Sequence, residues 1–175
     1  MSAVQVIPYD GRSCDAVYNL ILPIQQDEFG IQITREQQPD LADIKSYYQD
    51  GIGNFWIAAV GAHVVGTIAL KNIGNQQVAL RKMFVHADYR GNPHKIAYSL
   101  LVQAMQWCQQ KQIQDVFLGT TDKFIAAHRF YEKNGFASIN KADLPPAFPV
   151  MQVDSKFYHL NVDNIPVGMC NDTAA

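Results

Sequence analysis

VALRKMFVHADYRGNPHKIAYSLL, residues 78–101, reads as an apolar strand, a short basic turn bearing Gly91, and the start of a long amphipathic helix. The first N–H groups of a helix have no partner within it, and positive charge beside them adds to their pull on an anion. A ligand carrying a polyphosphate is therefore the first expectation.

Upstream, Phe55–Val60 and Val64–Leu70 are apolar runs joined by Gly61-Ala62-His63, the signature of a hairpin. Before them, Val4–Ile7 alternates as a strand. Cys14, Val17, Tyr18 and Ile21 form a helical stripe that should stop near Pro23. Residues 25–38 are polar with apolar islands and long for a passive connection, so they read as a loop with a role. Pro39 opens a second helix expected to run through Tyr48. Downstream, the helix continues from Lys95 to about Lys111. A short buried strand follows at Val116–Leu118, then a helix at Phe124–Lys133 closed by Asn134-Gly135. Phe136–Ile139, Met151–Val153 and Phe157–Leu160 read as strand pieces, and Pro145, Pro146 and Pro149 stiffen the loop between them. The order is strand, two helices, three strands, helix, strand, helix and one or two strands. It predicts an α/β single domain on a mixed α+β sheet over residues 1–165, with 166–175 as a loose tail.

Bulk properties narrow the class. The chain has 175 residues, enough for one domain with a sizeable core. With 48% hydrophobic and 17% charged residues and a net charge of −2, it shows no basic field for nucleic acid and no polybasic run for a membrane surface. No signal pattern and no apolar run of membrane length is visible, so a cytoplasmic location is expected. Cys14, Cys108 and Cys170 are widely spaced, and neither they nor the histidines show metal spacing, so no metal site is expected.

Two pieces carry a family resemblance. The strand ending in Val85-His86 and the turn Tyr89-Arg90-Gly91 before a helix, followed by FIAAHRFYEKNGF at 124–136, resembles the GNAT superfamily of acyl-CoA-dependent N-acyltransferases. The resemblance runs in order from Phe55 to Ile139. It implies acetyl-CoA as co-substrate and an amine-bearing acceptor, a small molecule or peptide, handled by a monomer or homodimer. The chain departs from the family's glycine-rich turn: Asn92-Pro93-His94-Lys95 stands there, with Lys95 at the middle glycine and Ala97 at the last position. The resemblance implies pyrophosphate contacts from Arg90, Gly91, Asn92, His94 and the N–H groups of Lys95, Ile96 and Ala97. It places the acyl arm on the backbone of Met83, Phe84 and Val85, on a strand that family members splay from its neighbour at a bulge. Phe124, where relatives carry asparagine, packs either on the pantetheine arm or in the core.

Acyl transfer needs a neutral amine, a donor for the oxyanion and a proton for the departing thiolate. The resemblance nominates Tyr131 for that proton, with a buried aromatic as the plain alternative. The family's strand glutamate is missing, since Ala79 and Leu80 stand near its place. Base candidates are then Asp27, Glu28, His63, His86 and ordered water. Asp27, Glu28, Phe29, Trp56 and Tyr158 form a candidate acceptor wall, although the acids also fit a solvated loop and Trp56 also fits the core. A catalytically idle acyl-CoA sensor on the same fold is the competing reading. A nucleotide-binding protein is disfavoured, because GxxxxGK[ST] is absent and the turn lacks GxGxxG.

Overall fold

The computed structural model describes residues 3–91 and 94–165. Its strands are β1 (Gln5–Pro8), β2 (Asn54–Val60), β3 (His63–Asn72), β4 (Gln77–Val85), β5 (Asp115–Thr120), β6 (Ala137–Ile139) and β7 (Lys156–Asn161). The helices are α1 (Cys14–Pro23), α2 (Pro39–Ala42), α3 (Ile44–Tyr48), α4 (Ile96–Gln110) and α5 (Ile125–Lys133). One seven-stranded sheet runs β1-β2-β3-β4-β5-β7-β6. Its pairs are antiparallel except β4–β5, which is parallel. This is the expected mixed α/β domain, and the tail expected at 166–175 lies outside the described residues.

Alternation along β2 explains the two layers. Phe55 and Ile57 pack with Val17, Tyr18, Leu41 and Tyr48 on one face. Trp56 and Ala58 pack with Leu100, Leu101 and Ala104 on the other. A strand covered on both faces reads as a continuous apolar run, which is why 55–60 shows no polar side. The α4 helix sits close on β3: a Cβ at Gly66 would lie 3.0 Å from Ile96 Cγ2 and 3.0 Å from Leu100 Cδ1. Glycine there sets how near the helix start comes to the sheet.

Three local expectations are corrected. Pro23 does not end the first helical path. The chain continues through a wider π turn at Ile24–Glu28, where Phe29 N–H reaches Ile24 O at 3.2 Å. Proline lacks only its own donor and tolerates a change of winding after it. The helix expected over 39–48 is broken at Asp43, which leaves helical geometry and whose side chain accepts from Ser46 N–H to cap α3. Met151–Val153 is a turn rather than a strand. With β5 and β6 on its two sides, β7 has no free edge for it.

The feature that positions the site is a split in the sheet. Strands β4 and β5 pair only at Gln77↔Asp115, Val78↔Val116 and Ala79↔Phe117. Beyond that point β4 stays with β3 as far as Val85, while β5 stays with β7 as far as Thr120. On the β3 side, Thr67 faces Phe84 and Ala69 faces Arg81, so Ile68 is opposed by two residues, Lys82 and Met83. This is a β-bulge. Lys82 takes the left-handed conformation, φ 56°, and Thr67 Oγ1 donates to its carbonyl at 2.6 Å. A bulge bends its strand and increases its twist, and here that turns β4 away from β5.

Candidate active site

The split opens a cavity of about 580 Å³. One wall is β4 from Leu80 to Val85. The other is Gly119–Thr121 and the start of α5, with Tyr131 behind. The segments Ile24–Ile33 and Phe148–Asp154 close its mouth. A second space of about 510 Å³ adjoins it at Val85, Arg90, Ala97 and Phe130, and extends to Gly91, Lys95, Tyr98, Lys133 and Asn134. Together they run from the bulge to the start of α4.

The helix start is built without the usual glycines. Lys95 caps α4 in the left-handed conformation, φ 49°, a backbone that glycine adopts more easily. Its N–H donates to Gly91 O at 2.9 Å, so this donor, expected to face phosphate, already serves the turn. The N–H groups of Ile96, Ala97 and Tyr98 are the ones at the helix end without helical acceptors, since the first helical bond runs from Ser99 N–H to Lys95 O at 3.1 Å. Arg90 Nε donates to Val85 O at 2.8 Å, and its guanidinium forms a bidentate ion pair with Glu28. That pairing holds the Glu28 carboxyl below its ordinary range. His94 is exposed and stacks near Tyr89, with ring centres 5.0 Å apart. Asn92 lies outside the described residues.

The aromatic residues gather at the mouth. Phe29 meets Phe124 edge-on at 4.6 Å between centroids, and Phe124 meets Phe84 at 6.2 Å. All three line the cavity, so Phe124 faces the channel and not a sealed core. Tyr131 also lines it, beside Phe130, Phe136 and Tyr158. Burial, reinforced by Tyr158, raises the Tyr131 phenol well above its ordinary value.

A profile of the Acetyltransferase (GNAT) family matches residues 15–136. The chain belongs to that family. A GNAT acetyltransferase from Staphylococcus aureus Mu50 superposes with TM-score 0.88 at 41% identity, over 91% of this chain and 99% of that one. An N-acetyltransferase from Thermoplasma acidophilum, solved in complex with coenzyme A, shares the fold with TM-score 0.67 at 15% identity, over 91% of this chain and 99% of that one. N-acetylaspartate synthetase from Xenopus tropicalis is 36% identical over 104 residues, which is 57% of this chain and 37% of that protein. The match thus spans little more than a third of the length of that relative.

Within this GNAT site, the structure brings Met83, Phe84, Val85, Arg90, Ala97, Phe29, Phe124 and Tyr131 to one cavity. It does not bring Trp56, which is 3% exposed and stacks edge-on against Trp107 under α4 at 5.8 Å. Strand alternation sends position 56 to the helical layer, away from the mouth. Asp27 is exposed and Glu28 is held by Arg90, and neither lines the cavity. Tyr158 is buried, its hydroxyl donating to Glu132 at 2.6 Å.

Sequence reading missed Arg81, Lys82, Lys123, Lys133 and Asp154. Arg81 and Lys82 had a signal: two adjacent cations inside an otherwise apolar strand. Both are largely buried. Arg81 donates to the Tyr47 hydroxyl at 2.9 Å. Lys82 Nζ donates to Gln38 Oε1 at 2.7 Å and lies 3.6 Å from Asp40 Oδ2. Burial pulls the Lys82 ammonium down to about 8, against the opposing attraction of Asp40. Asp154 lies in a proline-rich loop without a motif. Among the described residues, no group of three or more histidines, cysteines or acids is placed to hold a metal, and no helix is long and apolar enough to cross a membrane.

Proposed function

We propose that the protein transfers an acetyl group from acetyl-CoA to a primary amine by direct attack within a ternary complex, and that the acceptor carries a carboxylate near its amine, as an amino acid does. The observation that carries the first part is the split between β4 and β5 at a bulge, in line with the start of α4. An extended arm laid in the split can accept hydrogen bonds from the N–H groups of Met83 and Val85, which no β5 strand engages; the Phe84 N–H alternates to the β3 side, opposite Thr67. The same bonds place the thioester carbonyl at the bulge, where a backbone donor meets the developing oxyanion. Arg90, Lys95, Lys133 and the first N–H groups of α4 surround the place for the phosphates.

Tyr131 supplies the hydrogen bond to sulfur. A free thiol ionises near ~8.5 and an ordinary phenol near ~10. Burial lifts this phenol further, so the hydroxyl is always protonated and full transfer to a thiolate is uphill. Its work is then to stabilise charge as the C–S bond breaks, with the proton following from the attacking nitrogen. Glu28 holds Arg90 and links the acceptor loop to the phosphate turn.

The charge of the cavity supports the acceptor class. Arg81, Lys82, Arg90 and Lys123 line it against Asp154. Arg90 belongs to the phosphate end, which leaves Arg81 and Lys82 on β4 and Lys123 across the cavity as the remaining cations. A polycationic amine would be repelled there, whereas a carboxylate would be drawn in. The N-acetylaspartate synthetase relative is named for a product of this kind.

Calorimetry with acetyl-CoA, followed by thiol release over a panel of amino acids, polyamines and peptides, tests the reading. Binding is expected, with thiol release favouring amino acids. No binding at millimolar acetyl-CoA would sink the transfer reading, and a preference for polyamines would sink the acceptor class.

A further inference from the structure

We propose that Asp154 receives the acceptor's ammonium and accepts its proton, supplying the base that β4 lacks. The inference rests on the transfer reading above.

The first ground is position. Among the described residues, Asp154 is the one acid that lines the cavity, and no histidine lines it. Ala79 and Leu80, which stand near the place of the family's strand glutamate, are buried and apolar. Glu28 is committed to Arg90. The Asp154 carboxylate lies against Gly119, where a Cβ would fall 2.7 Å from Oδ2 and 2.9 Å from Cγ. Gly119 is two residues past Phe117, the last β5 residue paired with β4, so it stands in the open part of the split. Glycine at that place lets the carboxylate reach the wall along which the acyl arm would run.

The second ground is that the carboxylate is held in place. Met151 N–H donates to Asp154 Oδ2 at 2.8 Å. Ser155 N–H donates to Thr120 O at 2.9 Å, and Asp122 N–H donates to Ser155 Oγ at 3.0 Å. The loop is thus pinned to the end of β5 at Ser155, next to the acid, while Met151 fixes the carboxylate from the other side. A base fixed before substrate arrives loses little orientational freedom during reaction.

The third ground is its electrostatic setting. Arg81 and Lys82 of β4 face Asp154 and draw its proton off, and the Met151 N–H does the same. Behind Lys82 stands Asp40 of α2, and behind Arg81 stand Tyr47 and Tyr48 of α3. Lys123 and Tyr131 line the remaining wall. Burial outweighs the cations and raises the carboxyl above its ordinary range. A stronger base stands closer to an amine and makes the proton transfer less uphill.

The step balances. An N–H bond of the ammonium breaks and its proton passes to Asp154. The freed lone pair forms a C–N bond at the thioester carbonyl, whose π electrons move to oxygen under β4 donors. Collapse breaks C–S, and the sulfur leaves with the electron pair beside Tyr131. The second nitrogen proton goes to sulfur, and Asp154 returns its proton to water. The products are the amide, free CoA thiol and one proton.

Asp154→Asn tests this, because asparagine keeps the shape and can still accept from Met151 N–H. At neutral pH kcat should fall about 10²–10³-fold, with acetyl-CoA affinity within about twofold. Its log kcat/KM should climb with unit slope across the pH range where wild type is flat, because only pre-neutralised amine then reacts. A kcat within about fivefold of wild type, or a loss with an unchanged pH profile, would overturn the proposal. Wild type alone gives a second measurement: an acid limb in kcat from one carboxyl ionising above the ordinary aspartate range is expected, and its absence also overturns the proposal. Wild type that binds acetyl-CoA yet releases no thiol with any amine would sink the transfer reading itself, and the proposal with it.

Discussion

Burial of Tyr131 makes its hydroxyl a permanent donor, so the effect of removing it is easy to isolate. Tyr131→Phe keeps the ring contacts with Phe136 and Tyr158. It should lower kcat about 10²-fold while calorimetric acetyl-CoA affinity stays unchanged, and an unchanged kcat would remove the assignment. Lys82 offers a test of a different kind. Its ammonium is depressed from 10.5 to about 8 in the fold. Between those values the unfolded chain binds more protons than the folded one, so this residue makes stability rise as pH climbs from 8 to 10.5. Urea unfolding across that window should show the rise in wild type relative to Lys82→Met, and parallel curves would refute it. The residue scale is also where sequence reading was weakest. Tyr131 and Arg90 were legible because short motifs fix their places. Asp154 was not, because its position depends on a loop folding back onto Gly119 from 35 residues away, and no periodicity encodes that.

Among the elements, α4 shows how a single small residue sets a site. The helix start must approach the sheet for its N–H groups to flank the split, and Gly66 permits that approach. An alanine there would meet Ile96, Leu100 and the Ala58 Cβ at 3.0, 3.0 and 3.3 Å. Overpacking of this sort costs about 1–3 kcal/mol, against a gain of about 0.4–1 kcal/mol from a stiffer unfolded chain. Gly66→Ala should therefore lower the urea midpoint, and it should weaken acetyl-CoA binding as α4 is pushed outward. A variant at least as stable as wild type, with equal affinity, would show that the helix has slack. Elements were the most legible scale, since apolar periods and turn residues are local. The exceptions were places where two geometries compete locally: the π turn after Pro23, the break at Asp43 and the turn at 151–153. The bulge at Lys82 was expected only through the resemblance, because a left-handed lysine leaves no mark in a hydrophobic pattern.

At the scale of the whole molecule, the sheet is two halves joined at a narrow neck. The β1–β4 half and the β5–β7 half share three paired positions, Gln77↔Asp115, Val78↔Val116 and Ala79↔Phe117. The packing of Val78, Leu80, Leu101, Val116 and Leu118 in one cluster adds to that joint. A cofactor lying in the split would touch both halves and bind only when they are correctly set, so its binding energy adds to folding. At one hundred times Kd this is about 2.7 kcal/mol, or roughly 5–10 °C in Tm for a chain of this size. Thermal scans with CoA should show a shift of that order. Hydrogen exchange should slow at β5 beyond Phe117 and at β4 beyond Ala79, with little change in β1. If CoA raised Tm but left those amides unprotected, it would be bound elsewhere. Desulfo-CoA should give the same shift, because the phosphates and the arm, and not the thiol, span the two halves.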